Sequence, residues 1–390
     1  MHRPNPARRI ARVAVAAATA VALFASIAAS TVAAAGSPVI GHVYVNGNTS
    51  GENTILAYDR HADGSLSAIA GSPFRAGGAG TGGAFGSAGG LQETTDGRYL
   101  LATDPASDQI SVLRIRPDGA LQLVEVADSN GRQPTSIATH GSLVYVANGG
   151  AGGSNYTGFR INAGGHLTAI AGSTYALPDD ALPGHVLISP DGRRLVGMRV
   201  GPNAGPSFID GFRIRRDGRL TAAPGSPFAA QRIGPFGSTF SPVHGDQLFV
   251  SNAHDGAGNG SVSVYDVAGN GGLTAIAGSP FADGQTAPCW VAISPDGGAL
   301  FAVNTGSGTV SRYTVAADGT LGLVGSTALA GAAPRRAFDA AVSPDGGFLY
   351  IVNAVGGISA FAVDGTTITE LAGSPIATPA GTAPFGMVVD

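Results

Sequence analysis

The feature that most constrains this chain is a nine-residue phrase it writes five times. The copies are LSAIAGSPF at 66–74, LTAIAGSTY at 167–175, LTAAPGSPF at 220–228, LTAIAGSPF at 273–281 and ITELAGSPI at 368–376. Two weaker copies, LQLVEVADS at 121–129 and LGLVGSTAL at 321–329, complete the set. The seven begin at Leu66, Leu121, Leu167, Leu220, Leu273, Leu321 and Ile368, spaced by 55, 46, 53, 53, 48 and 47 residues. A repeat of that length is one supersecondary unit that cannot bury its apolar face alone and must stack on copies of itself.

Each period holds four pieces. One is VAISPDG (291–297), matched by VLISPDG (186–192) and AAVSPDG (340–346). A β-rich run ending in Asn follows, as in VYVN (43–46), VYVAN (144–148), LFVSN (248–252), LFAVN (300–304) and LYIVN (349–353). The third is an alternating run such as SVSVYDV (261–267), and the fourth is the nine-residue phrase, usually entered through Asp-Gly or Gly-Gly. Alternation and β-branched residues mark strands, and Asp-Gly between them marks a hairpin. Four antiparallel strands repeated seven times predict an all-β, seven-bladed β-propeller. In it the phrase forms the outer strand, and its Gly-Ser-Pro stops pairing and sends the chain inward. The chain ends on APFGMVVD (383–390), a first-type strand alone, while its first strand after the N-terminal segment is of the second type. The two ends are therefore expected to share one blade and close the ring.

Composition agrees, with 61 Gly, 24 Pro, 44% hydrophobic and only 12% charged residues among 390. That is too apolar for disorder and too rich in turn formers for long helices. Residues 1–35 read differently. Arg3, Arg8, Arg9 and Arg12 precede an Ala/Val-rich run that closes on Ala33-Ala34-Ala35. This pattern predicts an export signal cleaved near Ala35, leaving one propeller domain over 36–390 in a secreted or periplasmic location. The alternative is an anchor retained in the membrane, since the run is nearly long enough to span. Arg8-Arg9 resembles a twin-arginine signal, although the flanking residues fit that route poorly. Cleavage takes the formal charge from −4 to −8, because the segment carries four arginines and no acid. With no lysine anywhere and no basic cluster, nucleic acid and, after cleavage, membrane are excluded as partners. The lone Cys289 excludes an internal disulfide framework.

The Ser-Pro-Asp-Gly turns, the (Leu/Phe)-x-Val-x-Asn runs, and the Val-Ser-Val-Tyr and Gly-x-Leu-Thr segments resemble the seven-bladed lactonase family. That family includes propeller-type 6-phosphogluconolactonases and carboxymuconate-lactonizing enzymes, and YVTN-type surface repeats are similar. The resemblance covers residues 40–390. It implies hydrolysis, or reversible formation, of a lactone in a central pocket without a cofactor or metal. The family's Pro-Arg-His motif is matched here by Pro183-Gly184-His185, which keeps the His, and by Pro334-Arg335-Arg336, which keeps an Arg. Its following Asn-Glu is absent, since Asn252 precedes Ala253. WD40 repeats are disfavoured by the single Trp290.

Aligning the repeats shows which side chains share a face. The second-strand ends read Asn46, Asp104, Asn148, Arg199, Asn252, Asn304 and Asn353. The five Asn are expected to cap turns through their amides, which leaves Asp104 and Arg199 as the exceptions. The inner-strand starts read Gly386, Gly90, Ser136, His185, Gly237, Trp290 and Asp339, with His254, Arg335 and Arg336 in adjoining segments. His185 or Asp339 is the candidate base on water attacking a lactone carbonyl; His185 equally suits a hydrogen-bonded channel plug, and Asp339 suits orienting that His, a solvated loop carboxylate or an Arg pair. Arg199 and Arg335 are candidates to hold a substrate anion by bidentate bonds, or to form inter-blade salt bridges. Asp104, Trp290 and His254 complete the candidate binding set, with core packing the other role for Trp290. Cys289 reads as a small buried hydrophobe. NAHDGAGNGS (252–261) lacks EF-hand spacing and reads as a flexible loop. The tract RAGGAGTGGAFGSAGG (75–90) reads as a mobile blade connection able to lie over the face. No nucleophile elbow, Walker loop, His-Glu-x-x-His or CxxC pair is present. The two functions left are an exported lactonase acting on a small lactone or organic acid, and a non-catalytic secreted propeller that binds a surface glycan or protein. A quinone- or metal-dependent dehydrogenase has no recurring ligand array to support it.

Overall fold

A computed structural model describes residues 1, 36–84, 86–330, 337–353 and 357–390. Residues 2–35, and the export-signal expectation with them, lie outside the described residues, as does Arg335. Hydrophobic alternation over short runs punctuated by Gly, Pro and Asp turns yields strands, which pair antiparallel into seven small sheets within the unit 37–390. Blade 4 is typical. Its inner strand Pro183–Ile188 pairs with Arg194–Arg199, then Phe208–Ile214, then the outer Leu220–Ala222. The seven inner strands contact one another in sequence, and Phe385–Val389 touches both Ala337–Val342 and Leu91–Glu93. Phe385–Val389 also pairs with Val39–Asn46, so the two ends of the domain share blade 1 and the ring is closed. Seven apolar clusters lie one between each pair of successive blades. One, for example, joins Val196 and Met198 of blade 4 to Leu248 and Val250 of blade 5. Burial between blades, rather than within them, is what holds the ring together.

The repeated phrase has a more specific role than the sequence indicates. Only its first residues form the outer strand, and the chain then turns out of the ladder. In blades 1, 3, 4 and 5 it rejoins the same third strand a few residues later, for instance at Phe228–Ala229 and Phe281–Ala282. The interruption strips one third-strand N–H of its partner, and the phrase's serine replaces it. Ser72, Ser173, Ser226, Ser279 and Ser374 accept from the N–H of Ala57, Gly158, Gly211, Val264 and Ala360 at 2.8–3.1 Å. The two weaker copies, which have Ala127 and Thr327 at the place of that serine, run as single long outer strands Leu121–Asp128 and Leu321–Ala328. The phrase therefore recurs because each interrupted edge needs its hydroxyl. Ser226→Ala is expected to destabilise the protein by about 1–2 kcal/mol through the orphaned Gly211 N–H, read as a lower denaturation midpoint.

Candidate functional site

The inner strands do not begin in regular register. In six of the seven blades the pairing slips just after the strand starts, as between Pro183 and His185, Pro235 and Ser238, and Pro288 and Trp290. A bulge at this place re-aims consecutive side chains and stacks two layers around the axis. One layer lines an open pocket; the other is mostly buried beside it.

The second layer holds His185 and Asp339, both buried, and the partly buried Trp290. The rings of His185 and Trp290 stand 5.1 Å apart, and Trp290 Nε1 donates to the carbonyl of Ala340 at 2.6 Å. His185 is 1% exposed. Its Nδ1 meets Ser238 twice, at 3.1 Å from the backbone N–H and 2.9 Å from Oγ, and its Nε2 has no partner among the described residues. A Cβ placed on Gly89, at φ +66°, would come within 2.9 Å of that Nε2. Burial lowers the His185 pKa to about 3, so the ring is neutral. Asp339 is also 1% exposed, and neither of its oxygens makes a hydrogen bond of normal geometry. Burial raises its pKa to about 7, against the opposing pull of the Gly386 and Gly89 amides. His185 and Asp339 thus flank the same glycine. A carboxyl whose folded pKa exceeds its ordinary value near 4 binds a proton more tightly in the folded state, so it costs stability as pH rises from about 4 to about 7. Asp339→Asn is expected to remove that loss. Thermal unfolding from pH 5 to 8 should show the variant gaining on the wild type toward the alkaline end.

The open layer is a pocket of about 790 Å³ at the face where inner strands begin and second strands end. Its walls include Leu182, Val200, Phe236, Ala253, Cys289 and Phe338, with Gln133, Thr135, Asn203, His254 and Thr305 as polar members. Phe236, Cys289 and Phe338 come one residue before Gly237, Trp290 and Asp339. Aligning the repeats at the latter positions alone misses them, and the proline that opens two of these strands is the signal that could have found them. Cys289 packs against the apolar floor formed by Ala88, Val200, Phe236 and Ala253, and burial pushes its thiol up to about 11. His254 is the basic side chain among the described lining residues. Its ring lies against Gly234, where a Cβ would sit 2.6 Å from its Cγ, and its Nδ1 has no partner. Burial lowers its pKa from the ordinary value, and Asp255 works in the opposite sense.

The other sequence candidates are engaged elsewhere. Arg199 is 8% exposed and grips Asp210 with both arms, Nε to Oδ2 at 2.5 Å and Nη2 to Oδ1 at 2.6 Å. Tyr156 of blade 3 donates to the same carboxylate at 3.1 Å. The guanidinium is therefore occupied by an ion pair at a blade junction and does not line the pocket. Asp104, fully buried, accepts from Asn53 Nδ2 of blade 1 at 2.8 Å and from Ser111, and burial raises its pKa to about 6. The second-strand asparagines mostly reach the third strand rather than capping turns. Asn252 donates to Ser263 at 2.9 Å, Asn304 to Ser311 at 2.8 Å and Asn353 to Ser359 at 2.9 Å. Arg199–Asp210 and Asp104–Ser111 are charged forms of that same cross-strand tie. The glycine-rich tract begins as the strand Phe74–Gly80 and is not a loose connection there. It then reaches the pocket, where Ala84 and Gly86 line the wall and Ala88 N–H donates to Gly184 O at 2.9 Å. Among the described residues no three His, Cys, Asp or Glu side chains cluster as metal ligands.

A family profile described as "Lactonase, 7-bladed beta-propeller" matches residues 37–179 and 239–340. A comparison with curated proteins gave no match. Among solved structures, the chain is similar to the periplasmic gluconolactonase PpgL of Pseudomonas aeruginosa, with a TM-score of 0.68 and 20% identity over 90% of this chain and 98% of that one. It is similar to the same degree to a candidate 6-phosphogluconolactonase of Bacteroides fragilis, also at TM-score 0.68, 20% identity, and 90% and 98% coverage. A protein from Lactobacillus plantarum gives a TM-score of 0.67 at 18% identity, covering 90% of this chain and 99% of that one. At these identities the likeness is one of fold.

Proposed function

This chain belongs to the seven-bladed β-propeller lactonase family, and on that premise we propose that it is an exported hydrolase that opens a lactone ring in the pocket at the mouth of its central channel. The observation that carries the reading is His254, a partly buried imidazole on the wall of a pocket of about 790 Å³, whose Nδ1 is buried against Gly234 and whose Nε2 is the nitrogen left to meet water. Its lowered pKa keeps it neutral, and so competent as a base, at neutral pH. His254 takes a proton from water as the water oxygen bonds to the lactone carbonyl carbon. The ring C–O bond then breaks, and the imidazolium returns the proton to the departing alkoxide, giving a hydroxy acid. The side-chain amides of Gln133 and Asn203 are donors suited to the carbonyl oxygen as charge develops on it. His185 and Asp339 lie beside the pocket at 1% exposure, so the proposal gives the base role to His254 and leaves them to support the pocket. Export is supported by the basic start and the small-residue end of the apolar run. It is supported too by the periplasmic description of the Pseudomonas neighbour.

The sealing of His185, the residue that matches the family's motif, favours a second reading, in which the propeller binds a glycan or protein without turnover. The two separate in a pH-stat assay of the purified protein against unphosphorylated sugar and aliphatic lactones. Turnover above the buffer rate supports the hydrolase; none across the panel, with a folded protein, contradicts it.

A further inference from the structure

We propose that the lactone this pocket takes is one bearing an alkyl chain, not a polyhydroxylated or phosphorylated sugar lactone; the inference rests on the lactonase reading and specifies its substrate class. Apolar side chains from four blades line the pocket: Phe236 and Phe338 enter from blades 5 and 7, Val200 and Ala253 follow the second strands of blades 4 and 5, and Cys289 comes from blade 6. Three of these, Val200, Phe236 and Ala253, are at most 7% exposed and form a packed floor with Ala88. At the rim stands Leu182, 46% exposed.

Leu182 is the more telling residue. Its φ of +43° is a left-handed conformation that a γ-branched L-residue adopts at a cost of roughly 1–2 kcal/mol. Gln133 and Ala287 precede the inner-strand prolines of blades 3 and 6 with φ +53° each, so the turn itself is a device of the repeat. Blade 5 fills the place with Gly234. Blade 4 instead holds a large aliphatic side chain in it, exposed to water at the edge of the pocket. Strained residues of this kind concentrate at ligand sites, and an alkyl chain leaving the pocket along Leu182 would cover it. The polar members Gln133, Thr135, Asn203, His254 and Thr305 serve the ring and its carbonyl, whereas a polyol laid along the apolar side chains would lose hydration to carbon atoms that return no hydrogen bonds.

The test is the dependence of rate and binding on chain length, using δ-valerolactone, δ-hexalactone, δ-octalactone and δ-decalactone, with glucono-δ-lactone as the polar comparison. Each methylene that enters the pocket should raise kcat/KM about three- to fourfold, so the series should climb on the order of 10²-fold before it levels. Leu182→Asn, which keeps a residue tolerant of the left-handed turn, should flatten the later steps of the climb. Turnover of glucono-δ-lactone with a flat aliphatic series overturns this inference and leaves the hydrolase standing. If nothing is hydrolysed, the hydrolase reading fails, and calorimetric binding of the same series decides the question. Affinity that rises with chain length and weakens in Leu182→Asn upholds the alkyl site; affinity independent of chain length, or no binding, overturns it.

Discussion

Arg199→Ala is expected to lower the stability of the protein by about 3–5 kcal/mol, the largest stability effect of any single side chain considered. The cause is what the substitution leaves behind. Asp210 is fully buried, and burial alone works against its charge. It is held by the bidentate Arg199 guanidinium and the Tyr156 hydroxyl. Removing the guanidinium leaves a buried carboxylate with one neutral donor, a penalty far above the value of an exposed ion pair. The double variant Arg199→Ala with Asp210→Ala should recover part of the loss, because no charge remains to be buried. Chemical denaturation of the two single variants and the double variant measures this directly. Near-additive losses would mean that the pair contributes packing alone. If Arg199 instead bound a substrate anion, Arg199→Ala would raise KM and leave the denaturation midpoint in place.

His254→Ala is expected to lower kcat by about 10²–10⁴-fold while leaving the denaturation midpoint within roughly a kcal/mol of the wild type. His254 lies on the pocket wall and is partly exposed, so truncation opens no sealed cavity. Because burial sets its pKa below the ordinary histidine value, the base is already deprotonated at pH 7. Activity should therefore be flat through neutrality and fall only on the acid side, below the usual histidine range. His254→Gln, which keeps size and hydrogen-bonding capacity, should lose activity as His254→Ala does and lose the acid limb with it. A merely structural imidazole would be rescued by Gln.

The fold was legible because the repeat is written in the residues that make strands and turns. Seven phrases gave seven blades, and a lone first-type strand at the C-terminus gave the closure later seen between Phe385–Val389 and Val39–Asn46. The reason for the phrase's serine was not legible, because its partner N–H lies on another strand and is freed only when the edge is interrupted. Arg199 stood out as an exception to the Asn pattern, yet its role depends on Asp210, eleven residues on and adjacent only through strand pairing. Lining up the third strands, where Ser111, Thr157, Asp210, Ser263, Ser311 and Ser359 share one place, would have shown the charge matched to the charge. For the site, the alignment picked out His185 and Asp339, which the structure brings to Gly89, and Trp290, whose ring lies against His185. It passed over Phe236 and Phe338, because a bulge brings a second set of consecutive side chains to the mouth, and sequence spacing alone does not announce a bulge. His254 was named from its segment and does line the pocket.

The most direct test of the central claim is a crystal structure of the His254→Gln variant soaked with δ-valerolactone, in which slow turnover should let the ring persist. The account predicts lactone density in the pocket between Phe236, Phe338 and residue 254, with its carbonyl carbon within reach of a water held at residue 254. Lactone bound on the opposite face of the ring, or an empty mouth pocket in a variant that still hydrolyses the lactone, would contradict it.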